Sequence, residues 1–106
     1  MRHEEHELVA PKVGEEFVPE RAQFAAFVEL DGQTVVYDER HDELHLLDEV
    51  ATVVWACCDG SGTVAAIVDD LSAAFGEERT RVDEDVCALL TKLVTAGIVV
   101  DALEKP

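Results

Sequence analysis

A chain of 106 residues with 24 acidic and 8 basic side chains carries a formal charge of −16 and is sized for one domain. Hydrophobic residues make up 48% of it, too many for a disordered chain, yet no run approaches the ~18 apolar residues of a membrane span. Such an acidic surface repels phosphate backbones and excludes nucleic acid as a partner, whereas a basic peptide or a basic patch on a protein is compatible with it.

Residues 1–23 hold six acids and three bases, with Pro11, Gly14 and Pro19 and no sustained periodicity. They are expected to form a loosely attached arm. The opening MRHEEHELVAPKVGEEF lacks the apolar stretch of a signal peptide, which points to the cytoplasm. Three cysteines, an odd and small number, fit a reducing compartment better than a disulfide framework.

From Phe24 the pattern changes. Phe24–Leu30 and Gln33–Asp38 are rich in aromatic and β-branched residues, and Asp31-Gly32 between them supplies the positive φ angles of a type I′ hairpin turn. Glu43–Leu47 (ELHLL) reads as a third short strand, completing an antiparallel meander. Leu44 and Leu46 alternate with His45 and Leu47, so this strand carries apolar side chains on both faces, and only one face can be core. Nothing blunts its edge: there is no Lys, Pro or bulge signal. Such an edge invites a peptide to add as a fourth strand, unless the N-terminal arm or a second copy covers it.

The remainder is helical. Asp48 is placed to N-cap a helix from about Glu49 to Cys58, with Val50, Val53, Val54 and Cys57 on one face. Thr63 can cap a second helix with the stripe Val64, Ile67, Val68, Leu71 and Phe75, ended by Gly76. Thr80-Arg81-Val82-Asp83 reads as a capping box for a third helix bearing Val82, Val86, Leu89, Leu90 and Leu93, ended by Gly97. Ile98–Asp101 reads as an extended tail packed back on the bundle. Three strands followed by three helices make an α+β domain.

Catalytic signatures are missing: there is no Ser/His/Asp arrangement, phosphate-binding glycine loop or supported carboxylate pair. Cys57, Cys58 and Cys87, with His41 or His45, lack CxxC spacing and read as core or spectator residues, so neither metal nor cofactor is expected. Trp55 reads as a core or rim aromatic, and the Asp69-Asp70 and Glu77-Glu78 pairs as solvated charges.

Three stretches together, LHLLDEVATVVW (44–55), CDGSGTVAAIV (58–68) and the closing DVxxLLxxLxxAGI (85–98), resemble the PqqD family. Its members are RiPP recognition elements, peptide chaperones of ribosomally made and modified peptide pathways. The likeness covers residues 24–101 and leaves 1–23 as arm and 102–106 as tail. It implies a winged-helix-like fold, a three-stranded antiparallel sheet packed on a three-helix bundle. It also implies a function: the leader of a precursor peptide adds to the third strand and lies against the third helix. The backbone of Leu44, His45, Leu46 and Leu47 would then pair with the leader, and Val82, Val86, Leu89, Leu90 and Leu93 would divide between groove and core. The implied partners are the precursor and a modifying enzyme, such as a radical-SAM enzyme or a lasso-peptide leader peptidase, with the chain a monomer or weak homodimer. Two other readings are a winged-helix regulator and a carrier or scaffold protein. The first would need a basic recognition helix, but Arg81 and Lys92 face Asp83, Glu84 and Asp85; the second would need a modifiable Ser at a helix start, and Ser72 lies inside the second helix.

Overall fold

The computed structural model describes residues 13–104. In chain order the elements are β1 (Pro19–Arg21), β2 (Ala25–Leu30), β3 (Gln33–Asp38), β4 (Glu43–Leu47), α1 (Glu49–Cys57), α2 (Val64–Phe75), α3 (Arg79–Thr95) and β5 (Val99–Asp101), closed by a 3₁₀ turn at Ala102–Glu104. The fold is α+β: β2-β3-β4 form an antiparallel meander, and β1 and β5 form a separate antiparallel pair.

The hairpin turn forms as its sequence requires. Asp31 and Gly32 both adopt positive φ, 55° and 80°, the signature of a type I′ turn whose twist matches the flanking strands. Register then follows, with Val28 opposite Val35 and Val35 opposite Leu46. The period of two sends Thr34, Val36, Asp38 and Leu47 inward, all buried, while Val28, Tyr37, Leu44 and Leu46 point away from the helices. Behind the sheet, Trp55, Val54, Val64, Val68, Leu90 and Ile98 are almost wholly removed from solvent and form the centre of the core.

Helix ends show which local signals decided the boundaries. The Asp48 carboxylate accepts the Ala51 N–H at 2.8 Å, and the Thr63 hydroxyl accepts the Ala66 N–H at 3.2 Å. Gly76 closes α2 in the left-handed region, φ 64°. The third cap differs from expectation. Glu78, not Thr80, is the N-cap of α3, and its side chain makes no capping bond. The connection from Gly76 is so short that the helix has already started at Arg79, whose guanidinium is held by Asp69 and Glu15. Thr80 therefore sits inside the first turn.

The buried face of α1 is also rotated from the expected one. Ala51, Thr52, Val54 and Trp55 face the core, whereas Val50 is 69% exposed. Two apolar stripes run along this helix, and the stripe containing Trp55 removes the larger area from water, so it goes inside. Cys58, just past the helix, is fully buried.

The N-terminal residues expected to be loosely attached divide at Val13. Residues 1–12 lie outside the described residues, and 13–23 are built into the domain. A helix start leaves four N–H groups without intrahelical partners. In α2 the Phe17 carbonyl accepts from Val64 N and the Glu15 carbonyl from Ala65 N, while the Thr63 hydroxyl serves Ala66 N. At the C-terminal end of α1, Arg21 donates to the Trp55 carbonyl at 2.9 Å, which also accepts the Cys58 N–H, and to the Ala56 carbonyl at 3.3 Å, where a cation is favoured. β1 meanwhile pairs with β5, so the extended segment expected after α3 is present and has a strand partner. No described helix is long and apolar enough to cross a membrane.

Candidate functional site

β4 is an edge. Its one side pairs with β3, and no strand among the described residues pairs with the other. Beside that open edge runs a cleft of about 1150 Å³, bounded by β4, α1, the end of α2 and α3. Its presence follows from the rotation of α1: the second apolar stripe, Val50 and Val53, faces the cleft instead of the core. Phe75, at the last turn of α2, is 60% exposed and borders the same cleft.

Leu44, His45, Leu46 and Leu47 all border the cleft. Leu47 is buried and His45 partly buried on the inner face, while Leu44 and Leu46 are each 71% exposed on the outer face. A strand added beside β4 would meet side chains on both of its own faces. The five apolar residues of α3 divide by helical geometry. Val86, Leu90 and Leu93 are buried at the core. Val82 and Leu89 are only partly buried and turn toward the cleft, which Val86 and Leu93 reach from beneath. Leu90 does not border the cleft, because it lies on the opposite side of the stripe, against the core. Val50, Val53, Leu71 and Phe75 also line it. The sequence signal for the first two was the competing Ala51-Val54-Trp55-Cys58 spacing, i, i+3, i+4, i+7, which leaves them surplus.

Charge around the cleft is mixed with an acidic excess. Asp48, Glu49, Glu77 and Asp85 border it, against Arg81 and Lys92. Where β3 turns toward β4, the Asp38 carboxylate is buried. Burial alone would push its pKa up, but hydrogen bonds from the His41 imidazole and from the His41 and Arg40 amides outweigh this and hold it below the ordinary carboxylate range. A thiol nucleophile has no support here. Burial raises the pKa of Cys57 and Cys87 and pushes that of Cys58 up to about 12, so all three stay protonated at neutral pH.

Known proteins resemble this chain in sequence and in fold. The family model for coenzyme PQQ synthesis protein D (PqqD) matches residues 33–99, from the start of β3 into β5. Two PqqA binding proteins from strains of Rhodopseudomonas palustris are 39% identical over 57 residues and 36% identical over 58. These matches cover 54% and 55% of this chain, and it spans little more than half the length of those relatives, 56% and 57%. Among solved structures, a lasso peptide synthetase B1 complexed with the leader peptide superposes with a TM-score of 0.70 at 22% identity, covering 78% of this chain and 98% of the other. TbiB1 in complex with the TbiA(beta) leader peptide gives the same TM-score at 19% identity, covering 76% and 93%. At that identity the likeness is one of fold.

Proposed function

The chain belongs to the PqqD family, and on that premise we propose that it is a leader-peptide-binding chaperone of RiPP biosynthesis. The leader of a ribosomally made precursor adds antiparallel to β4, and the chain presents the precursor to a modifying enzyme in the cytoplasm. The observation that carries this reading is the open edge of β4 lying directly beside an apolar cleft. Main-chain pairing with Leu44–Leu47 supplies affinity that is indifferent to sequence, and the pockets beside it choose the side chains. Val50, Val53, Phe75, Val82 and Leu89 offer the apolar contacts, while Val86, Leu90 and Leu93 hold the wall in place. The names of the relatives support the choice of ligand, since they describe binding of PqqA and of leader peptides. The module recognises rather than catalyses.

In the winged-helix-like description of this fold, α3 would occupy the place of a recognition helix. A nucleic-acid-binding regulator is disfavoured by charge. Arg79 is already paired with Asp69 and Glu15, and Arg81 and Lys92 share α3 with Asp83, Glu84 and Asp85.

The test is fluorescence polarisation with a labelled leader segment of the precursor peptide encoded nearest this chain's gene. Along an edge strand, alternate residues direct their N–H groups outward, so His45→Pro and Leu46→Pro between them must remove one outward donor. At least one should lose binding while retaining native circular dichroism. Undiminished binding in both folded variants would contradict strand addition at β4.

A further inference from the structure

We propose that Asp38, Glu43 and His45 form a site for a divalent transition-metal ion of zinc-like chemistry at the root of β4. The meander builds the site. Asp38 ends β3 and stands opposite Glu43, the first residue of β4, while His45 lies two residues further on, opposite Val36. Residues two apart in a strand share a face, so all three side chains lie on the inner side of the sheet. One ligand atom from each lies within 4.8 Å of the others.

Three features separate this cluster from a chance meeting of surface charges. Asp38 is fully buried, and its carboxylate is oriented by the Arg40 N–H at 2.9 Å, the His41 N–H at 3.2 Å and His41 Nδ1 at 2.9 Å. Ligands held this way by outer hydrogen bonds are preorganised for a metal. Second, His45 Nε2 is buried and has no hydrogen-bond partner among the described residues, a position that polar atoms rarely occupy. Third, Glu43 Oε1 lies 4.0 Å from that nitrogen, too far for a hydrogen bond but close enough to share an ion with it. A tetrahedral ion with bonds of about 2.0–2.2 Å holds its donors roughly 3.3–3.6 Å apart. Glu43, whose side chain is 62% exposed, is free to rotate the remaining distance.

The donor set selects the ion class. One imidazole nitrogen with two carboxylates suits zinc and its neighbours, while magnesium and calcium prefer oxygen alone. Cys57, Cys58 and Cys87 belong to no such cluster among the described residues. An ion here would tie the end of β3 to the strand whose open edge borders the cleft. The inference stands on side-chain geometry and does not depend on what the cleft binds.

The experiment is isothermal titration of zinc sulfate into the full chain after dialysis against a chelator, with thermal melting in parallel. One saturable site and a raised Tm are expected. Glu43→Gln and His45→Gln should each weaken zinc binding roughly tenfold or more, with circular dichroism confirming the fold. The double variant His3→Gln/His6→Gln and the single variant Cys57→Ser should bind as the parent does. The proposal is overturned if no saturable heat appears, if both glutamine variants bind zinc unchanged, if the histidine double variant or Cys57→Ser abolishes binding, or if magnesium fills the site equally well.

Discussion

The three-stranded sheet has two open edges, and they differ in what lies beside them. β2 and β4 each leave one side unpaired by any described strand. Beside β4 the surplus stripe of α1 and the outer part of α3 form an apolar cleft. On the inner side of β2, Phe27 meets Trp55 edge-to-face at 5.4 Å, and the Arg21 guanidinium sits over the Phe27 ring at 5.3 Å. That space is filled by the chain's own side chains. Exposed backbone is thus common to both edges, and beside β4 it is joined by an apolar cleft able to discriminate among side chains. An open edge makes pairing feasible; the neighbouring helix makes it selective.

Both edges share one scaffold. Leu90, fully buried behind the cleft wall, belongs to the core cluster that also holds Val36 and Leu47 of the sheet. Leu90→Ala should lower unfolding stability by about 2–5 kcal/mol in urea titration, the usual cost of such a cavity. Proline separates the edges. The more damaging of His45→Pro and Leu46→Pro should weaken leader binding by roughly 2–3 kcal/mol, about 30- to 150-fold, whereas Glu29→Pro in β2, at a position whose N–H points outward, should leave the affinity of the folded variant within about twofold. Equal losses at both edges would erase the distinction. Leu89→Ala trims the cleft face of α3 and should cost about 1 kcal/mol of leader affinity by polarisation, with a smaller effect on Tm than Leu90→Ala.

A smaller effect concerns Cys58, which lies outside both edges. Its folded pKa of about 12 lies above the ~8.5 of an ordinary thiol, so the folded chain keeps a proton that the unfolded chain releases. The stability this contributes is present below about pH 8.5 and is lost as pH rises toward 12. Native-state alkylation near pH 8 should accordingly label Cys57 and Cys87 before Cys58.

Much of this arrangement was legible where a single residue type decides a local conformation. Asp31-Gly32 announced its turn because few other pairs tolerate two positive φ angles, and Asp48, Thr63 and Gly76 marked helix ends for similarly local reasons. What escaped depended on contacts distant in sequence. Three residues of β1 pairing with three of β5 leave no periodic trace, and neither do the Phe17 and Glu15 carbonyls that serve the start of α2. At the site, ELHLL already carried the open edge with apolar side chains to spare. Of the cleft beside it, the family resemblance implied the α3 wall, but the α1 wall did not show, because the α1 sequence supports two stripes and only competition for the core, won by Trp55, turns Val50 and Val53 outward. The division of α3 between Val82 and Leu89 on one side and Leu90 on the other is set by the same packing.

The central claim is that the β4 edge and the α3 wall together receive the leader. Hydrogen–deuterium exchange of the full chain, with and without leader peptide, addresses it at both edges simultaneously. Protection should rise in peptides spanning residues 43–47 and in those spanning 82–89, with residues 25–30 of β2 unchanged. Protection appearing at β2, or binding that leaves 43–47 exchanging as before, would contradict it.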